Sequence, residues 1–327
     1  MTIALSIIGG LLLLMFGAEF LVRGAVQVAI RLGVSSLVIG LTLVGFGTST
    51  PELVTSVQAA LAGSPGIAYG NIVGSNIANT LLILGVAALI SPILVASNAI
   101  RRDSMVMVGA MIAFAGLSAV VDFGRLVGIA FLAGLAIYLL AAFRQESGAD
   151  AGQDAASPRR EEGGEANPGS VPAAAPAARR SMLVSLLLAV TGLGLVVLGA
   201  HFLVGGAVDL ARVLGISETI IGLTIVAIGT SMPELVTSVM AALRSQGDVA
   251  FGNVVGSSIY NILGIGGTTA LIAPVAVPEE IVRFDNPVMI AASLLLVVFA
   301  WTGLRVGRRE GGLLLAGYVL YIAVLWP

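Results

Sequence analysis

Two glutamates inside apolar stretches are the residues of this chain best placed to do chemistry. Glu52 and Glu234 each follow a proline, in the matching segments LTLVGFGTSTPE (41–52) and LTIVAIGTSMPE (223–234). A carboxylate at membrane depth is costly unless it faces a partner or a watery cavity, so each is a candidate functional residue. Because the two occupy equivalent places, we expect them to share one cation site.

The residues around each glutamate predict a broken helix. Pro51 and Pro233 lack an N–H and clash with the carbonyl four residues earlier. We therefore expect freed carbonyls, near Gly45 in the first copy and Ala227 in the second, to point into the protein. The hydroxyls beside them belong to Thr48, Ser49, Thr230 and Ser231. The alternative is a simple capped kink, and two copies that both retain the glutamate argue against it.

A second motif follows one helix later, in GNIVGSNIAN (70–79) and GNVVGSSIYN (252–261). A spacing of four residues places its polar side chains on one helix face. These faces consist of Asn71, Ser75 and Asn79 in the first copy and Asn253, Ser257 and Asn261 in the second. We expect the serine and the last asparagine of each face to be ligands or near-ligands. For the first asparagine of each face, ligation and helix packing both stay open. The glycines of the motif allow close approach of neighbouring helices.

Every donor in this set is a hard oxygen. Ca²⁺ takes about six to eight oxygen ligands from carboxylates, carbonyls and water. Transition metals favour imidazole or thiolate, and the chain has one histidine and no cysteine. The two carboxylates balance one divalent ion or two monovalent ions. A site that bound Ca²⁺ and Na⁺ alternately through one glutamate pair would exchange them.

The composition indicates a membrane protein. Hydrophobic residues make up 57% of the chain, charged residues 10%, and mean hydropathy is +1.05, whereas a soluble domain has roughly 25% charged residues. At about 20 residues per crossing, ten helical spans are expected, with no nucleic-acid partner, cofactor or obligatory protein partner. The predicted spans are 3–28, 35–62, 66–91, 104–121, 125–143, 182–211, 217–243, 249–273, 287–304 and 311–326.

The chain is built from two copies of one unit. Residues 17–85 match residues 199–267 without a gap, at an offset of 182. Residues 145–180 are rich in Ala, Gly, Pro and charge, which predicts a disordered linker. The predicted plan is a five-helix repeat at 1–144 with its motif at 41–85, the linker, and a second repeat at 181–327 with its motif at 223–267.

The arginines predict an orientation in a plasma or inner membrane. With the N-terminus outside, the outer loops hold only Arg125, Arg212 and Arg283, and nearly all other arginines, with the linker, lie in the cytoplasm. This asymmetry is the positive-inside pattern. Since each half has an odd number of helices, the second copy must insert upside down. Inverted repeats that meet at a midplane site are a recurrent transporter design.

The paired GTSxPE and GNxxGSxxxN segments resemble the α-repeats of the sodium/calcium exchanger family, within the calcium/cation antiporter superfamily. The resemblance implies a ten-helix exchanger with alternating access, in which Na⁺ entry drives Ca²⁺ extrusion, usually three Na⁺ for one Ca²⁺. It also implies backbone ligands at Gly45 and Ala227. The implied side-chain ligands are Thr48, Ser49, Glu52, Ser75, Asn79, Thr230, Ser231, Glu234, Ser257 and Asn261.

Two choices within the family stay open. Some prokaryotic and potassium-dependent relatives have Asp where this chain has Asn261. With Asn at both 79 and 261 the site has only two carboxylates, which argues against K⁺ co-transport. Three bound Na⁺ would then leave one positive charge in excess. Proton-coupled relatives carry an acidic residue where this chain has Gly74 and Gly256. The resemblance therefore favours Na⁺/Ca²⁺ exchange, with Ca²⁺/H⁺ antiport as the alternative.

Other functional classes fit less well. An intramembrane enzyme needs a nucleophile with a base, or a catalytic metal, and the chain has no lysine, no cysteine and one isolated histidine. A channel would conduct without countertransport. Among the remaining charges, Glu19 and Arg23 are expected to pair with each other, while Asp103, Asp122 and Asp285 are expected to be solvated.

Overall fold

The computed structural model describes residues 2–31, 47–94, 98–154, 182–302 and 305–326. These ranges are almost entirely helical. The α-helices are α1 (Thr2–Arg31), α2 (Thr50–Leu61), α3 (Pro65–Ile77), α4 (Leu84–Ile90), α5 (Asn98–Val120), α6 (Arg125–Asp154), α7 (Met182–Leu214), α8 (Glu218–Ile221), α9 (Ala227–Thr230), α10 (Met232–Leu243), α11 (Gly247–Ile259), α12 (Gly267–Ile272), α13 (Asn286–Thr302) and α14 (Arg308–Leu325). The π-helical segments are Ala78–Ile83, Gly222–Val226, Tyr260–Gly266 and Ile281–Asp285.

The one addition to the predicted all-α fold in the described ranges is a pair of two-residue strands. β1 (Ile93–Leu94) and β2 (Arg305–Val306) pair antiparallel, with Ile93 opposite Val306. Nearby, the Arg308 guanidinium donates to the carbonyl of Ile90 at 3.2 Å. The ends of the third and ninth predicted spans therefore lie together, as they must if both end on the same side of the membrane.

The described parts of the chain contain seven helices long and apolar enough to cross a membrane, and a pair bent by 49° at Ser231 that can form an eighth span. They coincide with eight of the predicted spans. Of the predicted second span, the part over residues 35–46 lies outside the described residues, and α2 is the rest. The tenth span corresponds to α14, 18 residues long with Arg308, Arg309 and Glu310 at its start. The chain is a helical multi-pass membrane protein, and the count of ten stays a prediction.

The two halves have matching elements. α2 and α10 begin and end at residues related by the offset of 182, and so do α3 and α11. α1 and α7 are also equivalent, and they pack along each other in opposite directions, since Gly10 lies against Gly199 and Gly17 against Gly192. Antiparallel packing of equivalent helices supports the predicted inversion.

Glycines bring the backbones of α1 and α7 into direct contact. A Cβ built on Gly17 would lie 2.7 Å from the backbone nitrogen of Val196, and a Cβ on Gly192 would lie 2.3 Å from that of Leu21. The neighbouring glycines Gly9 and Gly194 face away, with nothing described within 4 Å of a built Cβ. Small residues at one interface allow helices to approach closely in a membrane, so α1 and α7 form a tight, smooth pair.

α3 and α11 are inner helices, whereas α1 and α7 are peripheral. In the most apolar windows of the spans, 83% of the α3 span and 72% of the α11 span are buried, against 28% for α1 and 22% for α7. Tyr69 of α3 packs edge-on against Phe123, with ring centroids 5.7 Å apart, and its hydroxyl donates to the carbonyl of Val275 at 3.1 Å. These contacts hold α3, which carries the first polar face, against its neighbours.

The glycines of the GNxxGS motif behave as predicted in the first copy. A Cβ on Gly74 would lie 2.6 Å from the carbonyl oxygen of Leu223, and Gly70 is similarly close to Gly222. α3 therefore lies directly on the π-helical segment that precedes α9. For Gly252 and Gly256 no described atom lies within 4 Å of a built Cβ; the residues equivalent to 222 and 223, at 40 and 41, lie outside the described ranges.

Two sequence expectations are corrected. α6 continues to Asp154, so residues 145–154 are helical where a disordered linker was expected, because extending an existing helix needs no new nucleus; residues 155–180 lie outside the described ranges. Asp285, expected to be solvated, is buried and accepts a hydrogen bond from the Tyr321 hydroxyl at 2.8 Å. The expected pair of Glu19 and Arg23 is present.

Candidate cation-binding site

The helix break predicted before Glu234 is present. α9 ends at Thr230, α10 starts at Met232, and Pro233 occupies the first turn of α10. The break lies at Ser231, whose φ and ψ are −82° and 11°. Its counterpart Ser49, just before α2, has almost the same angles, −88° and 10°. The two TSxPE segments therefore share one backbone geometry where they are described.

The two breaks are joined by a crossed pair of hydrogen bonds. The Ser49 hydroxyl donates to Glu234 Oε1 at 2.9 Å, and the Ser231 hydroxyl donates to Glu52 Oε1 at 2.9 Å. Both carboxylates are 1% exposed. Each half thus supplies a serine to the carboxylate of the other half. The two glutamates, placed far apart in the sequence, converge on one buried region.

Further hydroxyls surround the Glu234 carboxylate. Ser257 of α11 donates to its Oε1 at 3.4 Å, and the half-buried Thr48 also hydrogen-bonds it. Thr230 is buried at the end of α9, and its hydroxyl lies 2.9 Å from Asn71 Oδ1. The structure therefore brings Thr48, Ser49 and Ser231 of the TS pairs to the two carboxylates, whereas the Thr230 hydroxyl contacts Asn71 instead.

Several buried polar atoms of the predicted ligands have no hydrogen-bond partner among the described residues. They are the second oxygen, Oε2, of Glu52 and of Glu234, the Ser75 hydroxyl, and both amide atoms of Asn79 and Asn261. Buried polar groups in proteins nearly always have a partner. Carboxylate, hydroxyl and amide oxygens are the ligands that a hard cation prefers, so the residues present fit such a cation.

Asn79 and Asn261 lie in π-helical segments, a feature that the sequence did not predict. Asn79 is in Ala78–Ile83, which continues α3, and Asn261 is in Tyr260–Gly266, which continues α11. A π-turn inserts one extra residue into the helix and is frequent at functional sites. The two asparagines therefore sit where the helix is locally widened, at equivalent positions of the two halves.

Two backbone carbonyls, those of Ala227 and Gly45, were also predicted as ligands. Ala227 is buried, and its carbonyl accepts the N–H of Ser231 at 3.1 Å. It could join a site only through its second lone pair, because the first is already used within the helix. Gly45, the equivalent candidate in the first copy, lies outside the described residues.

No cationic side chain neutralises the carboxylates in the described part of the chain. The ion pairs found there join other residues, such as Arg102 with Asp103. The same ranges contain no cluster of three or more His, Cys, Asp and Glu side chains. Two unneutralised carboxylates among neutral oxygens suit Ca²⁺ or Na⁺ rather than a transition metal.

Some contributing residues were not among the predicted site. Ser56 and Ser238 lie one turn after the glutamates and accept hydrogen bonds from Asn71 and Asn253 at 2.9 and 3.0 Å. Their signal was present in the sequence, because the run ELVTS is repeated without change at 52–56 and 234–238.

A helical membrane protein with inner broken helices and a buried hard-oxygen site has the architecture of a secondary transporter for cations. The sequence model of the family described as "Sodium/calcium exchanger protein" matches residues 2–144 and again residues 184–326. The chain therefore belongs to the sodium/calcium exchanger family. Its members are transporters, which confirms the prediction that the chain is not an enzyme.

Full-length relatives and solved structures agree with this assignment. The sodium/calcium exchanger MaX1 of Methanosarcina acetivorans is 35% identical, over 97% of this chain and 96% of the relative. The inner membrane protein YrbG of Escherichia coli is 34% identical, over 98% and 95%. A structure of the sodium-calcium exchanger NCX_Mj, soaked with 2.5 mM Na⁺ and 0.1 mM Ca²⁺, has a TM-score of 0.64 at 34% identity and covers 98% of both chains.

Proposed function

We propose that this chain is a secondary active antiporter that exchanges Na⁺ for Ca²⁺ across the membrane by alternating access. The observation that carries the proposal is the crossed pair of serine–glutamate bonds, which leaves Oε2 of both carboxylates buried without a partner among the described residues. The ligands we assign are Thr48, Ser49, Glu52, Ser75, Asn79, Thr230, Ser231, Glu234, Ser257 and Asn261, with the carbonyls of Gly45 and Ala227. The names of MaX1 and NCX_Mj, which describe sodium/calcium exchange in those proteins, support the same ions here.

Charge balance makes the two ions compete. Glu52 and Glu234 together carry two negative charges, which one Ca²⁺ or two Na⁺ neutralise. Two unneutralised carboxylates in the low-dielectric interior carry a large free-energy cost. The protein therefore converts between its inward-open and outward-open states most easily when ions are bound. Because both ions use the same oxygens, one must leave before the other binds, and coupled exchange follows. A third Na⁺ would make each cycle move net charge.

Alternating access needs a rigid core and a part that moves. α3 and α11 are buried inner helices that carry the polar faces, whereas α1 and α7 are peripheral and contact each other through glycines. We propose that α1 and α7 slide as one unit across the core and expose the site to one side of the membrane at a time.

A flux assay tests the proposed exchange. Proteoliposomes loaded with Na⁺ should take up external ⁴⁵Ca²⁺ on dilution into Na⁺-free buffer, and vesicles loaded with K⁺ should not. Clamping the membrane potential with valinomycin should change the rate if three Na⁺ move per Ca²⁺. Uptake that follows an imposed pH gradient without any Na⁺ would establish the alternative, Ca²⁺/H⁺ antiport, and uptake without any countergradient would indicate a channel.

The domain plan and orientation form part of the proposal. We place a five-helix repeat at 1–144, a cytoplasmic linker beginning near 145 and ending at 180, and an inverted repeat at 181–327, with the N-terminus outside. This plan requires equivalent loops of the two repeats to lie on opposite sides of the membrane. Ala62 and Arg244 are such a pair, since each is the exposed C-cap residue of its helix, α2 or α10.

Cysteine labelling tests this topology cleanly, because the natural chain contains no cysteine. In intact cells a membrane-impermeant maleimide should label the Ala62→Cys variant fully. The Arg244→Cys variant should be labelled only after the membrane is permeabilised. Labelling of both variants from the same side would show that the repeats are not inverted.

A further inference from the structure

Asn71 uses all the polar groups of its side chain within the protein. It lies in α3 and is 0% exposed. Its amide nitrogen donates to the backbone carbonyl of Glu52 at 3.2 Å and to Ser56 Oγ at 2.9 Å, and its Oδ1 accepts from the Thr230 hydroxyl at 2.9 Å. Both amide protons are therefore occupied on one half of the chain, while the oxygen contacts the other half.

Asn79, on the same helix face, differs from Asn71 in its hydrogen bonding. It lies eight residues further along and is equally buried, yet neither its nitrogen nor its oxygen has a partner among the described residues. The two asparagines on one face thus differ in whether their amide oxygen is available to coordinate an ion. Asn79 has a free amide oxygen, whereas Asn71 holds together two elements that carry candidate ligands.

The hydrogen bond from Thr230 to Asn71 sets the direction of the Thr230 hydroxyl proton. A threonine hydroxyl has one proton to donate, and three acceptors lie within reach: Asn71 Oδ1 at 2.9 Å, the carbonyl of Val226 at 3.0 Å and the carbonyl of Ala227 at 3.3 Å. The latter two belong to the same broken helix as Thr230. Because Asn71 Oδ1 can only accept, the Thr230 proton points to Asn71 and not to the two carbonyls of its own helix, so the carbonyl of Ala227 receives no hydroxyl proton.

In the second half, Asn253 donates the same two hydrogen bonds as Asn71 does in the first. Asn253 of α11 donates to the backbone carbonyl of Glu234 at 3.3 Å and to Ser238 Oγ at 3.0 Å. The bonds join residues with the same separations in sequence as in the first half, 19 and 15. A pair of contacts kept in both copies indicates that each glutamate-bearing helix is held in register with its neighbour by an asparagine.

We propose that Asn71 is a positioning residue for the ion site: it holds the start of α2, which carries Glu52, and orients the Thr230 hydroxyl of the opposite half toward the bound cation. Asn253 holds the start of α10 in the same way. Neither asparagine is itself a ligand. The inference rests on the proposed exchange function, because its readout is the affinity for the exchanged ions.

The test is the Ca²⁺ dependence of Na⁺-driven uptake by the purified full chain in proteoliposomes. Asn71→Leu, which keeps the side-chain volume but removes every polar contact, should raise the KM for Ca²⁺ about tenfold, since it removes the hydrogen bonds that align two ligands. The maximal rate should change much less. A double-mutant cycle with Thr230→Val should be non-additive, because Asn71 acts partly through that hydroxyl.

Asn76 provides the matched control. It lies on the same helix and is equally buried. Its amide nitrogen donates to the carbonyl of Ile72 in its own helix at 2.7 Å, its Oδ1 has no partner among the described residues, and so it holds no element that carries a candidate ligand. Asn76→Leu should leave the KM within about twofold of wild type. If Asn71→Leu does not fold, Ser56→Ala, which removes one acceptor of the Asn71 amide, should still raise the KM in the same direction.

The outcomes separate this inference from the proposed function. Wild-type vesicles that show no Na⁺-driven uptake would overturn the function itself. Wild-type exchange with an unchanged KM in Asn71→Leu, or an equal shift in Asn76→Leu, would overturn only the positioning role. A strictly additive cycle with Thr230→Val would overturn the link between the two halves.

Discussion

Replacing Glu52 or Glu234 by glutamine should abolish Ca²⁺ transport. Glutamine keeps the shape and an oxygen that can accept from Ser231 or Ser49, so the fold should survive while half of the site's charge is lost. A carboxylate about 4 Å away stabilises each unit of cation charge by about 4 kcal/mol at an effective dielectric constant of about 20. Ca²⁺ affinity should therefore fall more than about a thousandfold, as measured by calorimetric titration of the purified variants. Na⁺, with one charge, should lose less.

Glu19→Gln is the control for this experiment. Glu19 is a carboxylate within a membrane-spanning helix as well, but it is exposed and paired with Arg23. Its removal should leave Ca²⁺ binding and transport near wild type. Wild-type Ca²⁺ affinity in both Glu52→Gln and Glu234→Gln would mean that these carboxylates do not bind the transported ion.

A single added methyl group at Gly192 should nearly stop transport. The Cβ of Gly192→Ala would lie 2.3 Å from the backbone nitrogen of Leu21 and 2.7 Å from the carbonyl oxygen of Gly17, where ordinary contacts are 3.4–4 Å. α1 and α7 would have to separate along their length, at an overpacking cost of about 1–3 kcal/mol. The maximal exchange rate should drop by about tenfold or more. The KM for Ca²⁺ should stay close to wild type, because the ligands lie on other helices.

Gly194→Ala is the comparison, two residues along the same helix. A Cβ there meets nothing described within 4 Å, and alanine is favoured over glycine in a helix interior by about 1 kcal/mol. This variant should transport at the wild-type rate, with an equal or slightly higher Tm in detergent. Equal loss of transport in both variants would contradict a role for the close α1–α7 contact in the conformational change.

The sequence was sufficient to predict those structural features that depend on a single local rule. The break at Ser231 was predictable because Pro233 cannot continue the hydrogen-bond ladder, and the spans were predictable because hydrocarbon requires long apolar helices. The close approach at Gly74 followed from its lack of a side chain. The joint burial of Glu52 and Glu234 was predictable from the duplication, since two equivalent carboxylates in the predicted inverted repeats would face the same axis.

Other features depend on packing between distant segments. That Ser49 bonds Glu234 rather than its neighbour Glu52 follows from how the halves dock, and no local pattern encodes it. The π-turns at Asn79 and Asn261 were not predicted, because π-turns are rare and no local sequence pattern used above indicates them. The prediction that Asp285 is solvated was wrong for the same reason, because its partner Tyr321 lies 36 residues away on another helix. The roles of Asn71 and Asn79 looked alike in sequence, and only their different partners separate them.

The crossed serine–glutamate pair has a consequence for the origin of the chain. Each copy contains both the donor and the acceptor of the bond, so two separate, identical half-length subunits packed in opposite orientations would form the same pair twice, as any isologous interface does. An ancestral homodimer inserted in both orientations could therefore already have held the ion. Joining two such genes would make the second subunit always present and would allow the halves to differ, as Tyr260 differs from its counterpart Ala78.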